Sequence, residues 1–571
     1  MKNKLLTESI WIVAFALTGS CLQAQDLGKI GKEKPFTFSG NLGGGVNFYN
    51  SNETSYTRDP LTWNLYGNFT PTIYSVSLPV SFIINQYSKS YTTPFSQFGI
   101  SPTYKWIKLD LGYRNISMSP FTFDGQSFKG AGIELTPGKF RFAAFYGSLN
   151  KAISEDTTTG HLAMPQYGRI GYGAKIGYGT ASNHFDIIYF HAKDDSSSIK
   201  LINQTLVLRP QENTVVGASF RFTLLKKIIW TGDLAGSGTS QDMSAQKVKK
   251  DTLTKSLDKF LYNFMDFRNS TTSSLAGQTL VSLMLKNFNT TLGYRRVEPG
   301  FQSLGTPYML NDVEVFQWNA GTNLANGKVN INANLNDQHN DLSKQLESEL
   351  HTNTGSLNLS AMMGTHASLS IATSAIELKQ TDGTAHINDS VRENQVIFNV
   401  AVTPSFNFGK STILQTLSPS VTYSLLDDRN VVTSPTTNSK TLTAVLNYSC
   451  MFTQKSYSLN GNVLYNHYEQ GINIYTSYGF NAGTSMQLLK NKTLGLQLSA
   501  GYMINQFSQG NANNNITGSF NIHYSVNKKH SFSAYYNIVS TPPSSSSLQQ
   551  KLPYSVTTTN VAGGLSYNYT F

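Results

Sequence analysis

The sequence feature that most constrains the fold is a strict alternation of apolar and small polar residues in the stretch 396–425. Every second residue from Val396 to Phe408 is apolar, whereas the residues between them are mostly Asn, Ala, Thr and Ser. The pattern stops at Gly409-Lys410 and then resumes. A period of two residues is that of a β-strand, because successive side chains point to opposite faces. The stretch therefore predicts a long antiparallel hairpin, whose runs match the roughly 9 to 11 tilted residues that cross a bilayer.

The chemistry of the two predicted faces favours a membrane barrel over a soluble sandwich. One face carries aromatic and branched residues, and the other carries small polar residues rather than charges, as expected for lipid outside and a wet interior inside. The same alternation recurs from residue 36 to the end. Only 13% of residues are charged, yet the mean hydropathy is −0.25, so the polarity comes from Ser, Thr, Asn and Gln. We predict an all-β, transmembrane, antiparallel up-and-down β-barrel over residues 36–571, with an even number of about 26 strands.

The connections between the predicted strands fall into two alternating classes. Tight turns, such as those at Pro137-Gly138 and Lys528-Lys529, alternate with long polar loops, such as residues 194–213 and 241–274. Membrane barrels place short turns in the periplasm and long loops outside, so both chain ends are expected in the periplasm.

The N-terminus has the pattern of an export signal. Lys2 and Lys4 precede an apolar core at residues 10–17, and small residues follow. Residues 1–24 are therefore predicted to be a signal peptide cleaved after Ala24. Lipidation at Cys21 is the lesser alternative, because a polar threonine stands three residues before it. Residues 25–35 are expected to form a short periplasmic segment, and no transmembrane helix is predicted after the leader.

The C-terminal stretch alternates up to an aromatic last residue, Phe571. Such a strand resembles the terminal strand of bacterial outer-membrane barrels, which the barrel-assembly machinery recognises. We therefore expect a multi-pass barrel in the bacterial outer membrane, with outer-membrane lipid and the assembly machinery as partners. Cys450 is the only cysteine outside the leader, so no disulfide within the chain is expected.

One external loop departs from the strand pattern. Residues 251–265 place leucines and phenylalanines at helical spacing, with Asp251 or Thr252 available as a cap. A short amphipathic helix is expected within residues 241–274. It packs against the barrel rim in one interpretation, and inserts into the lumen or contacts a partner in the other.

The first third of the barrel places charges on the predicted lumen face. They form either a basic wall that favours anions or sugar-like solutes, or a paired network that braces the wall. The candidate residues are Lys105, Lys108, Asp110, Arg114, Glu134, Arg141, Arg169, Lys175, Asp186 and Arg221.

Several functional classes lack support in the sequence. The net charge of +11 is dispersed and often placed in turns, so nucleic-acid binding is not expected, and contact with anionic lipid accounts for much of it. The ten histidines lack metal-ligand spacing, and no nucleophile-elbow motif occurs. We therefore predict no enzyme activity, no catalytic residue, no metal and no cofactor.

Two stretches carry a family resemblance, residues 101–149 and 293–314. They resemble a family of large bacterial outer-membrane β-barrel proteins, from about Asp26 to the C-terminus. The resemblance implies the barrel and carries no catalytic motif with it. TonB-dependent receptors have a similar wall, but the segment before residue 36 is too short for their plug domain. The stretches read SPTYKWIKLDLGYRNISMSPFTFDGQSFKGAGIELTPGKFRFAAFYGSL and GYRRVEPGFQSLGTPYMLNDVE.

Two functions follow from the predicted architecture. A barrel of this size encloses a wide lumen, which favours a porin-like channel for small hydrophilic and even anionic solutes. The alternative is a non-conducting barrel whose loops block the lumen and whose exterior serves as a secretion or surface-anchoring partner for an exported protein.

Overall fold

The computed structural model describes residues 35–52, 59–73, 76–86, 97–154, 165–199, 208–489, 491–508, 512–541 and 557–571. The predicted signal peptide, with Cys21, lies outside the described residues. So does the predicted periplasmic segment 25–35, except for Pro35.

Strands dominate the described residues, which contain 28 strand segments. The first fourteen are β1 (Phe36–Ser51), β2 (Leu61–Ile73), β3 (Val76–Ser77), β4 (Val80–Asn85), β5 (Gln97–Ile100), β6 (Thr103–Tyr104), β7 (Ile107–Arg114), β8 (Phe128–Leu135), β9 (Phe140–Asn150), β10 (Gly168–Gly179), β11 (His184–Asp195), β12 (Glu212–Leu224), β13 (Ile228–Ser240) and β14 (Thr271–Met284). The others are β15 (Phe288–Val297), β16 (Val313–Leu324), β17 (Val329–His339), β18 (Ser348–Met363), β19 (Ala367–Asp382), β20 (Asn394–Lys410), β21 (Ile413–Asp428), β22 (Ser439–Phe452), β23 (Tyr457–Gln470), β24 (Asn473–Leu488), β25 (Leu494–Phe507), β26 (Asn513–Ser525), β27 (His530–Thr541) and β28 (Thr558–Thr570).

The segments form one closed antiparallel barrel. Strands that follow one another in the chain are paired, and β1 pairs with β28, with Leu42 opposite Tyr569. Two wall strands are interrupted at prolines, which lack a backbone N–H: β3 continues as β4 across Pro79, and β5 continues as β6 across Pro102. The 28 segments therefore make 26 strands, which confirms the predicted fold class.

The hairpin at 396–425 has the two faces that its alternation predicts. Phe398 and Val421 point outward and are partly exposed. On the inner face Thr403 and Ser420 share a hydrogen bond of 2.9 Å, and Ser418 donates one of 2.9 Å to Ser405. These bonds flank a gap in the strand pairing where two prolines lie opposite each other, so hydroxyl groups hold the strands together there.

The strands are longer than the membrane alone requires. β20 has 17 residues and β21 has 16, against the 9 to 11 predicted from the alternation. At about 3.3 Å per residue and a tilt of about 40°, 16 residues rise about 40 Å, more than the roughly 25 Å apolar band of such barrels. The wall therefore extends beyond the membrane.

The outer face of the barrel is apolar around its circumference. Four large side chains spread over it are 45% to 66% exposed in the isolated chain, a degree of exposure that a lipid environment satisfies. They are Trp63, Leu292, Phe480 and Leu565.

Helical structure is slight in the described part of the chain. The α-helices are Ser256–Leu261 and Ser434–Thr437, and the 3-10 turns are Lys250–Thr252 and Ala325–Gly327. Within these residues, none of the helices has the length and apolar character needed to cross a membrane.

Residues 241–270, here called the outer flap, join β13 to β14 and carry the predicted helix. The helix covers only Ser256–Leu261, and its N-cap residue is Lys255, which makes no side-chain capping hydrogen bond. The expected capping by Asp251 or Thr252 is therefore wrong. Leu261 is fully buried with Met265 and Phe267. Outside the strands, Lys247 donates a 2.6 Å hydrogen bond to Asp266 and holds the pKa of that carboxyl below its usual 3.8.

The outer flap packs on the outside of the wall. On β13 the residues with even numbers face outward, as the exposed Trp230 and Leu234 show. Gly236 and Gly238 share that face, and a Cβ on them would lie 2.8 Å from Leu257 and 3.0 Å from Met265. Outward glycines thus make room for the flap, so the rim-packing interpretation holds and insertion of this helix into the lumen is excluded.

We predict that Leu261→Ala detaches the outer flap and leaves the barrel closed. Truncating a fully buried leucine removes about 2–5 kcal/mol of stability. Limited proteolysis of the detergent-solubilised protein should then cut within residues 241–270. Phe260→Ala is the matched control, because Phe260 lies on the same helix and is 48% exposed. Equal protease resistance of both variants would contradict the prediction.

Candidate functional site

Two connections at the long-loop end of the barrel fold into its interior. They are residues 115–127, between β7 and β8, and residues 298–312, between β15 and β16; together we call them the lumen insert. The two segments pack on each other. The rings of Phe121 and Phe301 meet edge to face with centroids 6.2 Å apart, and the backbones of Phe123 and Gly305 form an isolated parallel β-bridge. The insert is therefore one body built from distant parts of the chain.

An apolar core joins the lumen insert to the inner wall. Phe123 lies with its ring centroid 4.3 Å from that of Phe145 and 5.6 Å from that of Phe190, and all three side chains are buried. Burial of this kind contributes roughly 1.5–3 kcal/mol for each large apolar side chain. The core contains Ile116, Met118, Phe121, Phe123, Phe128, Ala143, Phe145, Ile188, Phe190, Ala192, Val215, Ala235, Ala276, Val297, Phe301, Leu304 and Val313.

The wall under the insert is apolar on both faces, and this local sequence explains why the insert docks there. On β11, Ile187 faces outward and is 54% exposed, while Ile188 faces inward and is fully buried. Small inward residues give the insert room. A Cβ on Gly132 would lie 2.6 Å from Ile116, and one on Gly173 would lie 3.2 Å from the sulfur of Met118.

A buried amide fixes the second segment of the insert. Asn213, on the inner face of β12, is fully buried. Its amide nitrogen donates to the carbonyl oxygen of Gln302 at 3.0 Å, and its oxygen accepts from the backbone N–H of Leu304 at 3.1 Å. Leaving these groups unpaired would cost roughly 1–3 kcal/mol each, so the amide specifies one position for the insert.

The remaining wall, from β17 to β28, has a different inner face. It presents hydroxyls and amides that bond across neighbouring strands, and no described segment covers it as the insert covers β8 to β16. Thr443 donates to Asn466 at 2.7 Å, and Ser499 bonds Ser519 at 2.7 Å. The described interior thus has a filled apolar sector over β8 to β16 and a sector with a polar inner face over β17 to β28.

Six of the ten candidate charged residues lie in ion pairs. Lys108 lies 3.2 Å from Asp110 and 2.6 Å from Glu134, and Arg141 forms two hydrogen bonds of 2.8 and 3.0 Å with Asp186. The sixth residue, Arg169, donates two hydrogen bonds to the carboxylate of Asp194, at 2.7 and 3.1 Å.

The Arg141–Asp186 pair depends on a glycine between its partners. Gly177 of β10 is paired in register with Arg141 of β9 on one side and Asp186 of β11 on the other. A Cβ at this position would lie 1.8 Å from the carboxylate of Asp186. The guanidinium and carboxylate therefore meet directly over the glycine, which links three wall strands.

The other four candidates, all basic, have different environments. Lys105 lies in the turn between β6 and β7, with φ of 50° and its ammonium 5.2 Å from the Tyr104 ring. Arg114 donates to Ser81 at 2.7 Å, and Lys175 donates to the carbonyl of Ser117 in the lumen insert at 3.3 Å. Arg221 is half-buried on β12 and lies in none of the described ion pairs.

Sequence reasoning missed the residues that fill and anchor the interior. Asp194 and Asn213 were assigned to a loop, whereas Asp194 lies on β11 and Asn213 on β12. Arg295, inward on β15, was not singled out, although it stacks on Phe121 at 5.2 Å. The available signal was the apolar residues on both faces of β11, which indicate a wall covered on both sides.

A closed antiparallel wall with an apolar outer face and a polar interior defines a transmembrane β-barrel protein. The lumen insert makes it a barrel whose interior is filled in part by its own loops.

Comparisons with known proteins find barrels among solved structures. No family model and no curated protein matches the chain. One match is a chain of the E. coli P pilus tip assembly intermediate PapC-PapD-PapK-PapG, with 12% identity and a TM-score of 0.45 over 86% of this chain. A second match is the P pilus usher (PapC) translocation pore, with 11% identity and a TM-score of 0.37, over 94% of this chain and 99% of that chain. A third is Pseudomonas aeruginosa OccK10 (OpdN), with 10% identity and a TM-score of 0.33, over 64% of this chain and 98% of that chain. This chain spans 61% of the length of the first.

Proposed function

We propose that the protein is a bacterial outer-membrane channel for small hydrophilic solutes, narrowed but not closed by the lumen insert. The observation that carries the proposal is the division of the interior. The insert covers the inner wall around β8 to β16, while hydroxyls and amides line the inner face of β17 to β28. Solutes that exchange hydrogen bonds with water can pass along such a wall at little cost.

The size of the barrel supports an open path. With strands about 4.8 Å apart and tilted by about 40°, a wall of 26 strands has a circumference of about 160 Å. Barrels of 16 to 18 strands already leave an aqueous channel. The insert segments, of 13 and 15 residues, are too small to fill a lumen of this width.

The charges of the wall favour a modest preference for anions. Three of the seven predicted basic residues on the lumen wall are balanced by carboxylates: Lys108, Arg141 and Arg169. Arg114 and Arg221 lie in no described ion pair, so the wall keeps a positive excess. Low-dielectric walls focus such an excess on the water between them.

Export and assembly complete the proposal. The leader directs the chain to the periplasm, and the strand ending in Phe571 is offered to the assembly machinery. The barrel closes through that strand: Phe571 donates its backbone N–H to the carbonyl of Gly40 at 2.9 Å, and its ring lies 4.5 Å from that of Phe38.

Conductance in planar bilayers tests the channel. We expect discrete steps from the purified, heat-modifiable barrel, with a reversal potential in asymmetric KCl that shows a small anion preference. Absence of steps from correctly folded barrel would reject the channel. It would leave the non-conducting secretion or surface-anchoring role, which co-purification of an exported protein would then support.

A further inference from the structure

A cavity of about 670 Å³ lies between the lumen insert and the inner wall of β14 to β17. Wall residues Gln278, Gln317 and Gln338 contribute amides to it, and the insert contributes Thr306 and Tyr308. Tyr308 is 93% exposed, so the cavity is open to solvent on the insert side. Its volume is that of a pocket for a small organic solute.

Arg295 is the basic group of this cavity, and none of the ion pairs in the described part of the chain includes it. It lies opposite Gln278 and Val315 in the strand register, and Val315 packs on the inner core, so Arg295 faces the interior. Its neighbour Arg296 faces outward and pairs with Glu314. Arg295 stacks on Phe121 at 5.2 Å, takes part in no described salt bridge, and its Nε is buried without a hydrogen-bond acceptor.

A second polar group in the same cavity is also unsatisfied. Thr306 is 8% exposed, and its hydroxyl has no hydrogen-bond partner. A buried polar group without a partner costs roughly 1–3 kcal/mol and is uncommon in folded proteins. Both residues line the same cavity, and a ligand that enters it and displaces the atoms around them can supply the partners that the described residues leave missing.

We propose that this cavity binds a small polyhydroxylated carboxylate and forms a selective station of the channel. The planar guanidinium of Arg295 matches a carboxylate in two-point geometry. Thr306 and the three wall glutamines supply donors and acceptors for hydroxyl groups. The inference deepens the proposed channel function and rests on it.

The remaining charge at the cavity limits the ligand. Asp124, an exposed residue of the insert, also lines it. With one carboxylate and one guanidinium in its lining, the cavity disfavours ligands with several negative charges, such as phosphate esters. A monocarboxylate therefore fits better than a polyanion.

Gluconate and sorbitol make a matched pair of probes, because they share the six-carbon hydroxylated chain and differ in the carboxylate. Isothermal titration calorimetry on the detergent-solubilised barrel should show binding of gluconate and none of sorbitol. Arg295→Gln should weaken gluconate binding roughly tenfold to a hundredfold, the range for hydrogen bonds to a charged group. Inorganic phosphate should bind more weakly than gluconate.

Thr306→Val separates ligand binding from folding. Its hydroxyl has no partner, so the isosteric valine should leave the unfolding temperature unchanged or raised while it weakens gluconate binding roughly two- to tenfold. Arg296→Gln is the control for Arg295→Gln, because it removes the neighbouring arginine, which faces outward and lies outside the cavity. It should bind gluconate as the wild type does.

The outcomes separate the site from the channel. Equal gluconate affinity in the wild type and in Arg295→Gln, or no gluconate binding at all, would overturn the carboxylate site even where conductance steps persist. If Arg295→Gln disturbs the insert, as changed conductance would show, Thr306→Val still decides: unchanged affinity in that variant refutes the role of the cavity.

Discussion

Phe123→Ala is expected to raise the single-channel conductance several-fold while the barrel stays closed. The ring of Phe123 is fully buried between wall residues Phe128, Phe145 and Phe190. Its truncation removes about 3–5 kcal/mol of packing. The strand network of the wall does not depend on this contact, so the loss falls on the docking of the lumen insert, which opens locally.

Planar-bilayer recordings measure this effect, and Phe480→Ala is the matched control. Phe480 is the same residue type on the outer face and is 56% exposed to lipid, so its truncation should leave conductance unchanged. We also expect larger current noise from Phe123→Ala, as the freed segment enters and leaves the path. Wild-type conductance from a heat-modifiable Phe123→Ala barrel would show that the insert does not narrow the path.

The wall was predictable because its rule is local. A period of two residues fixes which side chains share a face, and the outward positions of the 396–425 hairpin are those expected from the alternation. The alternation of short periplasmic turns and long external loops was predictable for the same reason, because the length of each connection is a local property of the sequence. Strand ends were less predictable, because polar residues beyond the membrane continue the pairing without an apolar signal.

The interior was less predictable because its contacts join distant parts of the chain. The alternation places Arg141 and Asp186 on the inner face, but their meeting over Gly177 depends on the register of three strands. Residues 115–127 and 298–312 lie within the two stretches that carry the family resemblance, and loop length alone does not tell an inward loop from an outward one. The phenylalanines of these two loops become buried only where the inner face of the wall, like its outer face, is apolar.

Arg141→Gln is expected to destabilise the wall and to lower the preference for anions. Asp186 is 2% exposed and Arg141 is 23% exposed, so the variant leaves a buried carboxylate without its partner. The cost is about 3 kcal/mol, at the low end for a broken buried pair because the arginine is partly solvated. Because Arg141 is paired with Asp186, its removal is expected to affect stability as well as ion selectivity.

A double-mutant cycle with Asp186→Asn separates the two effects. Arg141→Gln/Asp186→Asn replaces two opposite charges by two amides, which should recover most of the lost stability and restore the wild-type reversal potential. Stability is measured as the temperature at which gel mobility shifts to that of the unfolded chain, and selectivity as the reversal potential in asymmetric KCl. If the double variant is no more stable than Arg141→Gln, the pair does not brace the wall. If the reversal potential is unchanged in Arg141→Gln with an open pore, the Arg141 charge lies outside the ion path, and the anion preference has to come from unpaired groups such as Arg114 and Arg221.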